Sequence, residues 1–252
     1  MSRKWIYKRP ESLTSTHTHF CPGCGHGIVH KLMAEAMDSL GIRERTVGVA
    51  PVGCAVLAYH YFNCDVAEAA HGRAAAVATA LKRSLPDRIV FSYQGDGDLA
   101  AIGLAETVHA ANRGENITVV FVNNAVYGMT GGQMAPTTLV GQKTETSPHG
   151  RDPKTMGPPI RVCELLNALD SPYYIERVAL DGAAGVRRAK KAIAEAFQAQ
   201  VDNKGYSFVE VLSPCPVHLK QTPAEALKFV SGEMAPVFPV RVFRRGGERV
   251  NA

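Results

Sequence analysis

The sequence contains no apolar run long enough to cross a membrane. Its first ten residues, MSRKWIYKRP, lack the apolar centre of a signal peptide. No stripe of basic residues is interleaved with aromatic residues, which excludes the common pattern of a nucleic-acid-binding module. Internal repeats and polar low-complexity runs are also missing. We therefore expect a cytoplasmic globular protein that binds neither a membrane nor a nucleic acid.

The composition is that of a protein with a substantial core. Hydrophobic residues make up 46% of the 252 residues, enough for one large α/β domain or two small ones. The net charge of +5 is modest. Basic residues cluster near both ends of the chain: Lys4, Lys8, Arg9, Arg241, Arg244, Arg245 and Arg249. Such clusters can attract an acidic partner, but solvated termini are the preferred interpretation.

The clearest pattern lies between Arg88 and Asn124. A short apolar run at 89–91 is typical of a buried parallel strand, and the turn Gly-Asp-Gly-Asp follows at 95–98. Apolar residues then recur at helical spacing over 99–111, and Gly114 stands where a helix C-cap belongs. A β-branched run at 117–122 ends on two asparagines. Together these features predict one βαβ unit.

Polar groups follow both strands of this unit, at the edge where open α/β sheets bind ligands. The turn after the first strand presents backbone N–H groups, which favour an anion such as a diphosphate. Asp96 and Asn124 can supply two oxygen ligands to one hard cation, and Mg²⁺ bridging a diphosphate is the natural candidate. A bare Gly-Asp-Gly is equally compatible with a sharp turn, but the complete arrangement favours the cation site.

Six cysteines in a cytosolic chain indicate a metal or cluster rather than structural disulfides. Cys21 and Cys24 form a Cys-x-x-Cys loop before a helical pattern at 28–40, tight enough for both sulfurs to face one metal. A thioredoxin-like redox pair is disfavoured because only polar residues precede the loop. His26 and His30 are interpreted as exposed helix-end histidines rather than as ligands.

Two further cysteines follow predicted strands. Cys54 comes after the strand at 47–52, on the same sheet edge as Asp96, and is a candidate third ligand. Cys215 lies between two prolines after the strand at 208–212, which keeps its sulfur in a loop, and is the fourth candidate. Spacing alone cannot join four cysteines so far apart, and structural zinc stays an alternative.

The GDGD turn, helix, strand and Asn-Asn pair resemble the thiamine-diphosphate motif. The continuation AVYGMTGGQ at 125–133 is similar to the β subunit of 2-oxoacid:ferredoxin oxidoreductases, and the resemblance runs from Cys21 to about Pro239. It implies the diphosphate-binding type of fold. Alternating strands and helices likewise predict a doubly wound, mostly parallel α/β sheet. We predict a single domain over 1–252, with an arm at about 1–20 and a tail at about 235–252.

The resemblance also implies a set of site residues. It joins Cys21, Cys24, Cys54 and Cys215 around one 4Fe–4S cluster, leaving Cys64 and Cys163 as buried thiols. It implies that Mg²⁺ takes Asp96, Asn124 and the Val126 carbonyl. The matching contacts to thiamine diphosphate are Val52, Gly53, Cys54, Ala55, His71, Gly97, Asp98, Gly128 and Met129. For His71, a helix-capping role is the alternative.

The implied activity is CoA-dependent oxidative decarboxylation of a 2-oxoacid to an acyl-CoA and CO₂, as in anaerobic metabolism. Electrons would pass through the cluster to ferredoxin. The glutamate that activates the cofactor comes, in this family, from an α subunit. No catalytic residue is therefore assigned here, and the chain is expected to be inactive alone, in a hetero-oligomer with an α subunit and further γ and ferredoxin-like δ subunits.

Two rival interpretations remain open. A non-redox thiamine-dependent decarboxylase or synthase would share the Asp96 site but have no use for four cysteine ligands. A zinc-stapled, non-catalytic interaction module would use the cysteines but not Asp96.

The long irregular segment at 125–160 is interpreted as a cofactor and substrate loop. A short helix at 162–169, a strand at 173–177, a longer helix at 186–200 and a last helix starting at Thr222 complete the prediction.

For the substrate, no Lys or Arg lies between Arg45 and Arg73, and Met129 is apolar. These features favour an apolar side chain over the second carboxylate of 2-oxoglutarate.

Overall fold

In residues 7–251, the computed structural model has eight strands that form one sheet. Residues 1–6 and 252, including Lys4 of the N-terminal basic cluster, lie outside the described residues. The strands are β1 Thr46–Pro51, β2 Asp65–Ala69, β3 Ile89–Gly95, β4 Thr118–Asn123, β5 Tyr174–Ala179, β6 Ser207–Leu212, β7 Val242–Arg245 and β8 Glu248–Arg249.

Ten α-helical segments and three turns of other helical types lie before or between these strands in the same part of the chain. The helices are α1 His26–Ser39, α2 Ala58–Tyr61, α3 Ala74–Ser84, α4 Leu104–Asn112, α5 Pro153–Met156, α6 Val162–Asn167, α7 Ala183–Val201, α8 Pro216–Leu219, α9 Pro223–Phe229 and α10 Ala235–Val237. A 3₁₀ turn lies at Arg43–Arg45, and π-helical turns lie at Gly97–Ile102 and Val230–Met234.

The strand order is β2-β1-β3-β4-β6-β5-β7-β8. Strands β1 to β6 are all parallel, and only β7 and β8 run antiparallel at one edge. After β1 the chain moves outward to β2 and then returns to the other side of β1 to form β3. The carboxyl ends of β1 and β3 therefore flank a topological switch point, where open α/β sheets bind ligands.

Helices cover both faces of the sheet. On one face, α1 and α7 pack through Val29, Met33 and Phe197 against sheet residues such as Phe91. On the other face, α3, α4 and α6 pack against alternate residues of the same strands, including Val90. The central strands are buried on both faces, which explains their continuous apolar runs. The prediction of a doubly wound, mostly parallel sheet is confirmed.

Several local predictions are also borne out. The helix predicted to start at Thr222 is α9, for which Thr222 is the N-cap and forms a complete capping box with Glu225, although α10 follows it. Gly114 follows α4 in a left-handed conformation, as expected for the residue after a C-cap. The segment 124–152 contains neither helix nor strand, but the predicted irregular segment 125–160 is wrong at its end, where α5 Pro153–Met156 lies. No helix between residues 7 and 251 has the length and apolar character needed to cross a membrane.

The structure corrects the prediction for the C-terminal basic residues. Arg244 lies in β7, is only 2% exposed, and donates to the carbonyl oxygens of Asp170 at 2.7 Å and Asn167 at 3.1 Å. It is therefore not a solvated residue but ties the edge strand to the loop before β5. Strand β2 was also missed, because DVAEA at 65–69 has a polar pattern that is not typical of a strand.

Candidate functional site

A cavity of about 130 Å³ opens at the switch point between β1 and β3. The turn after β1 supplies Val52, Gly53 and Cys54, and the turn after β3 supplies the Gly-Asp-Gly-Asp residues 95–98. His71, Asn124 and the segment 127–130 close the remaining sides. The structure thus brings eight of the nine residues predicted to contact the cofactor to one cavity, and the ninth, Ala55, is buried directly behind it in the core.

Two glycines make this turn geometry possible. Gly53 has φ = +121°, a backbone conformation that residues with a Cβ rarely adopt. A Cβ on Gly97 would overlap the ring of Tyr127, which packs over the turn. Gly97 also opens a π-helical turn, a distortion often found at functional sites.

Three oxygen-bearing groups converge beside the cavity. One terminal position of the Asn124 amide lies 2.7 Å from the Val126 carbonyl oxygen and 3.2 Å from Asp96 Oδ2. With the amide nitrogen in that position, it donates to both oxygens; with the amide oxygen there, that oxygen faces the other two. Mg²⁺ binds oxygens at about 2.0–2.1 Å in an octahedron, which sets neighbouring ligand oxygens about 2.9 Å apart. The observed spacing fits that cation.

The carboxylate of Asp96 is enclosed, and it forms no ion pair with any basic side chain among residues 7–251. It is 3% exposed, and burial raises its pKa to about 7, although the Thr137 hydroxyl and backbone N–H groups of Val126 and Gly97 lower it. These hydrogen bonds, each 3.0 Å long, all aim at the two carboxylate oxygens. A cation at this point would stabilise the ionised form and offset the desolvation of the carboxylate.

Asp98 holds the opposite wall of the cavity. Its Oδ1 accepts from the Gly72 N–H at 2.5 Å and lies 3.1 Å from His71 Nδ1, and its Oδ2 accepts from Gln94 at 2.6 Å. His71 Nδ1 also lies 3.0 Å from the Val52 carbonyl oxygen. The N-cap of α3 is Arg73 rather than His71, so the helix-capping alternative for His71 is not what the structure has. His71 faces the cavity instead.

Ala125 lies between Asn124 and Val126, two of the three residues predicted to bind the cation, and has φ = +60°. This left-handed conformation is uncommon for a residue with a Cβ and persists only where the surroundings fix it. The Asn123 side chain accepts from the Ala125 N–H at 3.1 Å. On the other side, the Thr138 hydroxyl and the Gln142 amide donate to the Ala125 carbonyl at 2.7 and 3.2 Å.

A second cavity, of about 240 Å³, adjoins the first. Cys21, Cys24, Cys54 and Cys215 all line it, although they come from three places: the loop before α1, the turn after β1 and the turn after β6. Both cavities are lined by the same five residues, His26, Cys54, Asn124, Gly128 and Met129. The two predicted sites are therefore separated by one shared wall.

The chemistry and space of this second cavity fit a cluster held by thiolates. A Cβ on Gly128 would lie 3.4 Å from Cys54 Sγ and 3.8 Å from Cys215 Sγ, and would fill the space between these sulfurs. Burial raises the pKa of Cys54 and Cys215 to about 12, so a metal is needed to stabilise their thiolates. Within residues 7–251, no three His, Cys, Asp or Glu side chains converge closely enough to hold a single metal ion.

The two cysteines outside the predicted ligand set do not line this cavity. Cys163 is fully buried, as expected, and Cys64 is partly buried.

The prediction for the two histidines was wrong. His26 and His30 are 2% and 1% exposed, because Phe20, Tyr61 and Tyr93 enclose them. His26 Nδ1 is hydrogen-bonded to the Tyr93 hydroxyl, and burial lowers the pKa of His26 to about 4.

Sequence reasoning missed the residues that support this site. Arg151, in the long loop, is 4% exposed and donates to six backbone carbonyl groups. Arg177 in β5 forms a buried ion pair with Glu210 in β6, and Glu210 accepts from Asn123. A charged residue inside an otherwise apolar strand, as in FVEVL at 208–212, is the one signal that marked Glu210.

Comparisons with known proteins agree with this geometry. Residues 51–211 match the family described as thiamine pyrophosphate enzyme, C-terminal TPP-binding domain. The chain is 57% identical over 239 residues to ketoisovalerate oxidoreductase subunit VorA of Methanothermobacter thermautotrophicus, covering 95% of this chain and 50% of that protein. It is 37% identical over 217 residues to 2-oxoglutarate synthase subunit KorB of Methanocaldococcus jannaschii, covering 84% and 76%. The chain therefore spans about half the length of the first of these relatives.

Among solved structures, a 2-oxoglutarate:ferredoxin oxidoreductase from Magnetococcus marinus, with 2-oxoglutarate, coenzyme A and succinyl-CoA bound, superposes with a TM-score of 0.76. The match covers 98% of this chain and 86% of that one at 23% sequence identity, and it supports the fold.

Proposed function

Because the chain belongs to the family of thiamine-diphosphate-binding subunits of 2-oxoacid:ferredoxin oxidoreductases, we propose that it forms half of such an enzyme. The activity would be CoA-dependent oxidative decarboxylation of a 2-oxoacid to an acyl-CoA and CO₂, with ferredoxin as electron acceptor. The observation that carries this proposal is the shared wall between the oxygen-lined cavity and the four-cysteine cavity. A redox thiamine enzyme needs its cofactor and its first electron carrier to be neighbours.

The chain's own groups fit the diphosphate end of the cofactor. Asp96, Asn124 and the Val126 carbonyl would hold Mg²⁺, and the turns at 52–55 and 97–98 would contact the cofactor together with His71, Gly128 and Met129. When bound, thiamine diphosphate supplies the carbanion chemistry that decarboxylation of a 2-oxoacid requires. Asp98 would keep His71 oriented towards the cavity through its 3.1 Å contact.

The four cysteines that line the second cavity would bind one 4Fe–4S cluster. When bound, such a cluster supplies one-electron transfer. The buried pair of His26 and Tyr93 would keep one side of it dry, because both side chains are enclosed by aromatic rings.

The site needs a partner. No glutamate in the described part of the chain lines either cavity, so the glutamate that activates the cofactor would come from an α subunit. Val52 and Met129 are 44% and 50% exposed at the cavity mouth, which is the kind of apolar rim that a partner covers. Further γ and ferredoxin-like δ subunits, ferredoxin itself and a cytoplasmic location complete the proposal. The six free cysteines suit a reducing compartment.

For the substrate, we propose a 2-oxoacid with an apolar side chain, such as 2-oxoisovalerate. In the described residues, no Lys or Arg lines the smaller cavity, so a second carboxylate would find no cation from this chain. The chain is also more similar to the ketoisovalerate subunit than to the 2-oxoglutarate subunit, at 57% against 37% identity.

The first test is Asp96→Ala in the assembled complex. We expect loss of thiamine diphosphate binding in calorimetric titration with Mg²⁺, because one of few cation ligands is removed. Asp38→Ala, at the end of α1, is a matched control that should bind normally. Unchanged affinity in Asp96→Ala would refute the cation role.

In parallel, Cys54→Ser should lower the iron content of anaerobically prepared protein, whereas Cys163→Ser should not. Stoichiometric zinc in place of iron would contradict the cluster.

The second test concerns substrate choice. Steady-state assays of the assembled enzyme should give a higher kcat/KM for 2-oxoisovalerate, pyruvate or an aryl 2-oxoacid than for 2-oxoglutarate. A clear preference for 2-oxoglutarate would show the substrate inference to be wrong. Release of free aldehyde, independent of CoA, would instead indicate a non-redox thiamine enzyme.

A further inference from the structure

Arg151 lies in the long irregular loop and has no predicted role, yet its side chain organises much of that loop. Its guanidinium donates to the carbonyl oxygens of Thr138 at 2.5 Å and Pro136 at 2.9 Å on one side. On the other side it donates to Gly157 at 2.8 Å and Pro158 at 2.9 Å. Longer contacts reach Ala135 and Met156. One side chain thus joins residues 135–138 to residues 156–158.

The segment that Arg151 fixes makes the polar contacts onto the predicted cation loop. The hydroxyl of Thr137 donates to Asp96 Oδ2 at 3.0 Å. The hydroxyl of Thr138 donates to the Ala125 carbonyl at 2.7 Å. The Arg151 backbone N–H also donates to the Gln142 carbonyl at 3.1 Å, and the Gln142 side chain reaches the Ala125 carbonyl. The contacts of Thr137 and Thr138 therefore start from backbone that the Arg151 side chain holds, whereas the contact of Gln142 depends on the Arg151 backbone.

We propose that Arg151 is a positioning residue for the cation site. Its side chain holds the segment 135–138 so that Thr137 aims at the Asp96 carboxylate and Thr138 helps to keep Ala125 in its left-handed conformation. Asn124 and Val126 lie on either side of Ala125, and one terminal position of the Asn124 amide then lies 2.7 Å from the Val126 carbonyl oxygen and 3.2 Å from Asp96 Oδ2. This inference rests on the proposed function only in naming Mg²⁺ with thiamine diphosphate as the group that benefits.

The residue type matters for this role. Arginine has five N–H donors in a rigid plane, which allows one side chain to serve carbonyl groups on two sides. Lysine keeps the positive charge but has three donors at a single point. Arg151→Lys should therefore preserve charge and much of the packing while loosening one side of the loop.

The chain offers a matched control. Arg244 is also buried and also donates to backbone carbonyl groups, those of Asp170, Pro172, Asn167 and Leu169. It lies in β7 at the edge of the sheet, away from both cavities. Arg244→Lys should thus weaken folding in a comparable way without touching the cation loop.

The first readout is binding of Mg²⁺ and thiamine diphosphate by the assembled protein, measured by calorimetry. Residues that orient metal ligands typically cost 10–100-fold in metal affinity when they are changed. We expect Arg151→Lys to weaken binding by about tenfold or more, with Arg244→Lys within about twofold of the wild type. Equal affinities in Arg151→Lys and the wild type, or equal losses in the two variants, would overturn the proposal.

The second readout does not depend on the cofactor. Hydrogen exchange of the cofactor-free protein should become faster in residues 123–130 and 135–142 of Arg151→Lys, and unchanged there in Arg244→Lys. If the wild type binds no thiamine diphosphate, the proposed function fails, but this comparison still tests the role of Arg151. Unchanged exchange in residues 123–130 would refute that role.

Should Arg151→Lys fail to fold, Thr137→Val carries the test, because it interrupts the same path at its last hydrogen bond. We expect weaker binding than in Thr79→Val, which removes a buried hydroxyl that has no partner among residues 7–251. Equal binding in the two threonine variants would overturn the proposal.

Discussion

Arg151 and Arg177 are both buried and act on opposite sides of Ala125, but their guanidinium groups have different hydrogen-bond acceptors. Arg151 is surrounded by neutral carbonyl oxygens of its own loop. Arg177 meets two carboxylates, those of Glu164 and Glu210, with N–O distances of 2.6 and 2.8 Å. The Glu210 carboxylate also accepts a hydrogen bond from the Asn123 amide, and the side-chain oxygen of Asn123 accepts one from the Ala125 N–H.

The difference follows from the two kinds of backbone. The loop has no ladder, so its carbonyl groups need donors from elsewhere, and one arginine supplies several. In the sheet, the backbone groups of β5 and β6 pair with each other, and Arg177 between them finds its two closest partners in the side chains of Glu164 and Glu210. The left-handed residue at the cation loop is therefore held on one side by loop backbone and on the other by a charged network within the sheet.

Removing Arg177 should have the largest effect. Arg177→Met leaves Glu210, which is fully buried, without its cation, and we expect a loss of about 3–5 kcal/mol in the free energy of unfolding. Chemical denaturation of the full chain measures it. Arg177→Met combined with Glu210→Leu should lose at least about 1 kcal/mol less than the sum of the single variants. Strict additivity would mean that the two residues do not act as a pair.

A smaller expected effect is a difference between the surroundings of the two arginines in how the free energy of unfolding depends on acidic pH. Burial raises the pKa of Glu164, but the hydrogen bond and charge of Arg177 outweigh it and bring the pKa below its usual value. A carboxyl whose pKa is lower in the folded state stabilises the protein above its unfolded pKa, and this stability is lost as the pH falls through the folded value.

We therefore expect stability to fall below about pH 4.5. Glu164→Gln should remove up to about 1 kcal/mol of this acid-dependent loss, since the carboxylate is partly exposed. Arg151→Met, which removes no partner of a carboxylate, should keep the wild-type acid dependence. Unfolding free energies at pH 7 and pH 4 compare the variants, and identical acid losses in Glu164→Gln and the wild type would contradict the assignment.

The smallest expected effect is at Ala125 itself. Ala125→Gly relieves a positive φ but makes the unfolded chain more flexible, so its free energy of unfolding should change by less than about 1 kcal/mol. Ala50→Gly, at a buried position in β1, gains no such relief and should be destabilised by about 1 kcal/mol more than Ala125→Gly. Equal losses in the two variants would show that the left-handed conformation stores no strain.

Much of this arrangement was predictable from local sequence. The strand–turn–helix pattern at 89–112 and the strand ending at Asn123 follow from apolar spacing and glycine, and both cavities form where those strands end. Buried polar networks were not predictable in this way. Arg151, Arg177 and Glu210 cannot be assigned to a network from sequence unless their partners, up to 87 positions away, are known. The prediction that His26 and His30 are exposed was wrong for the same reason, because aromatic residues distant in sequence bury them.

The antiparallel hairpin at β7 and β8 has a consequence for how copies of this chain meet. A parallel sheet that stopped at β5 would leave a row of unsatisfied backbone groups on which a foreign strand could add. The hairpin covers that edge and ends after a two-residue strand, Glu248–Arg249, whose side chains are charged and exposed. At the opposite edge, β2 carries Asp65 and Glu68. Both margins of the sheet therefore resist strand addition and the fibre-like aggregation that begins with it.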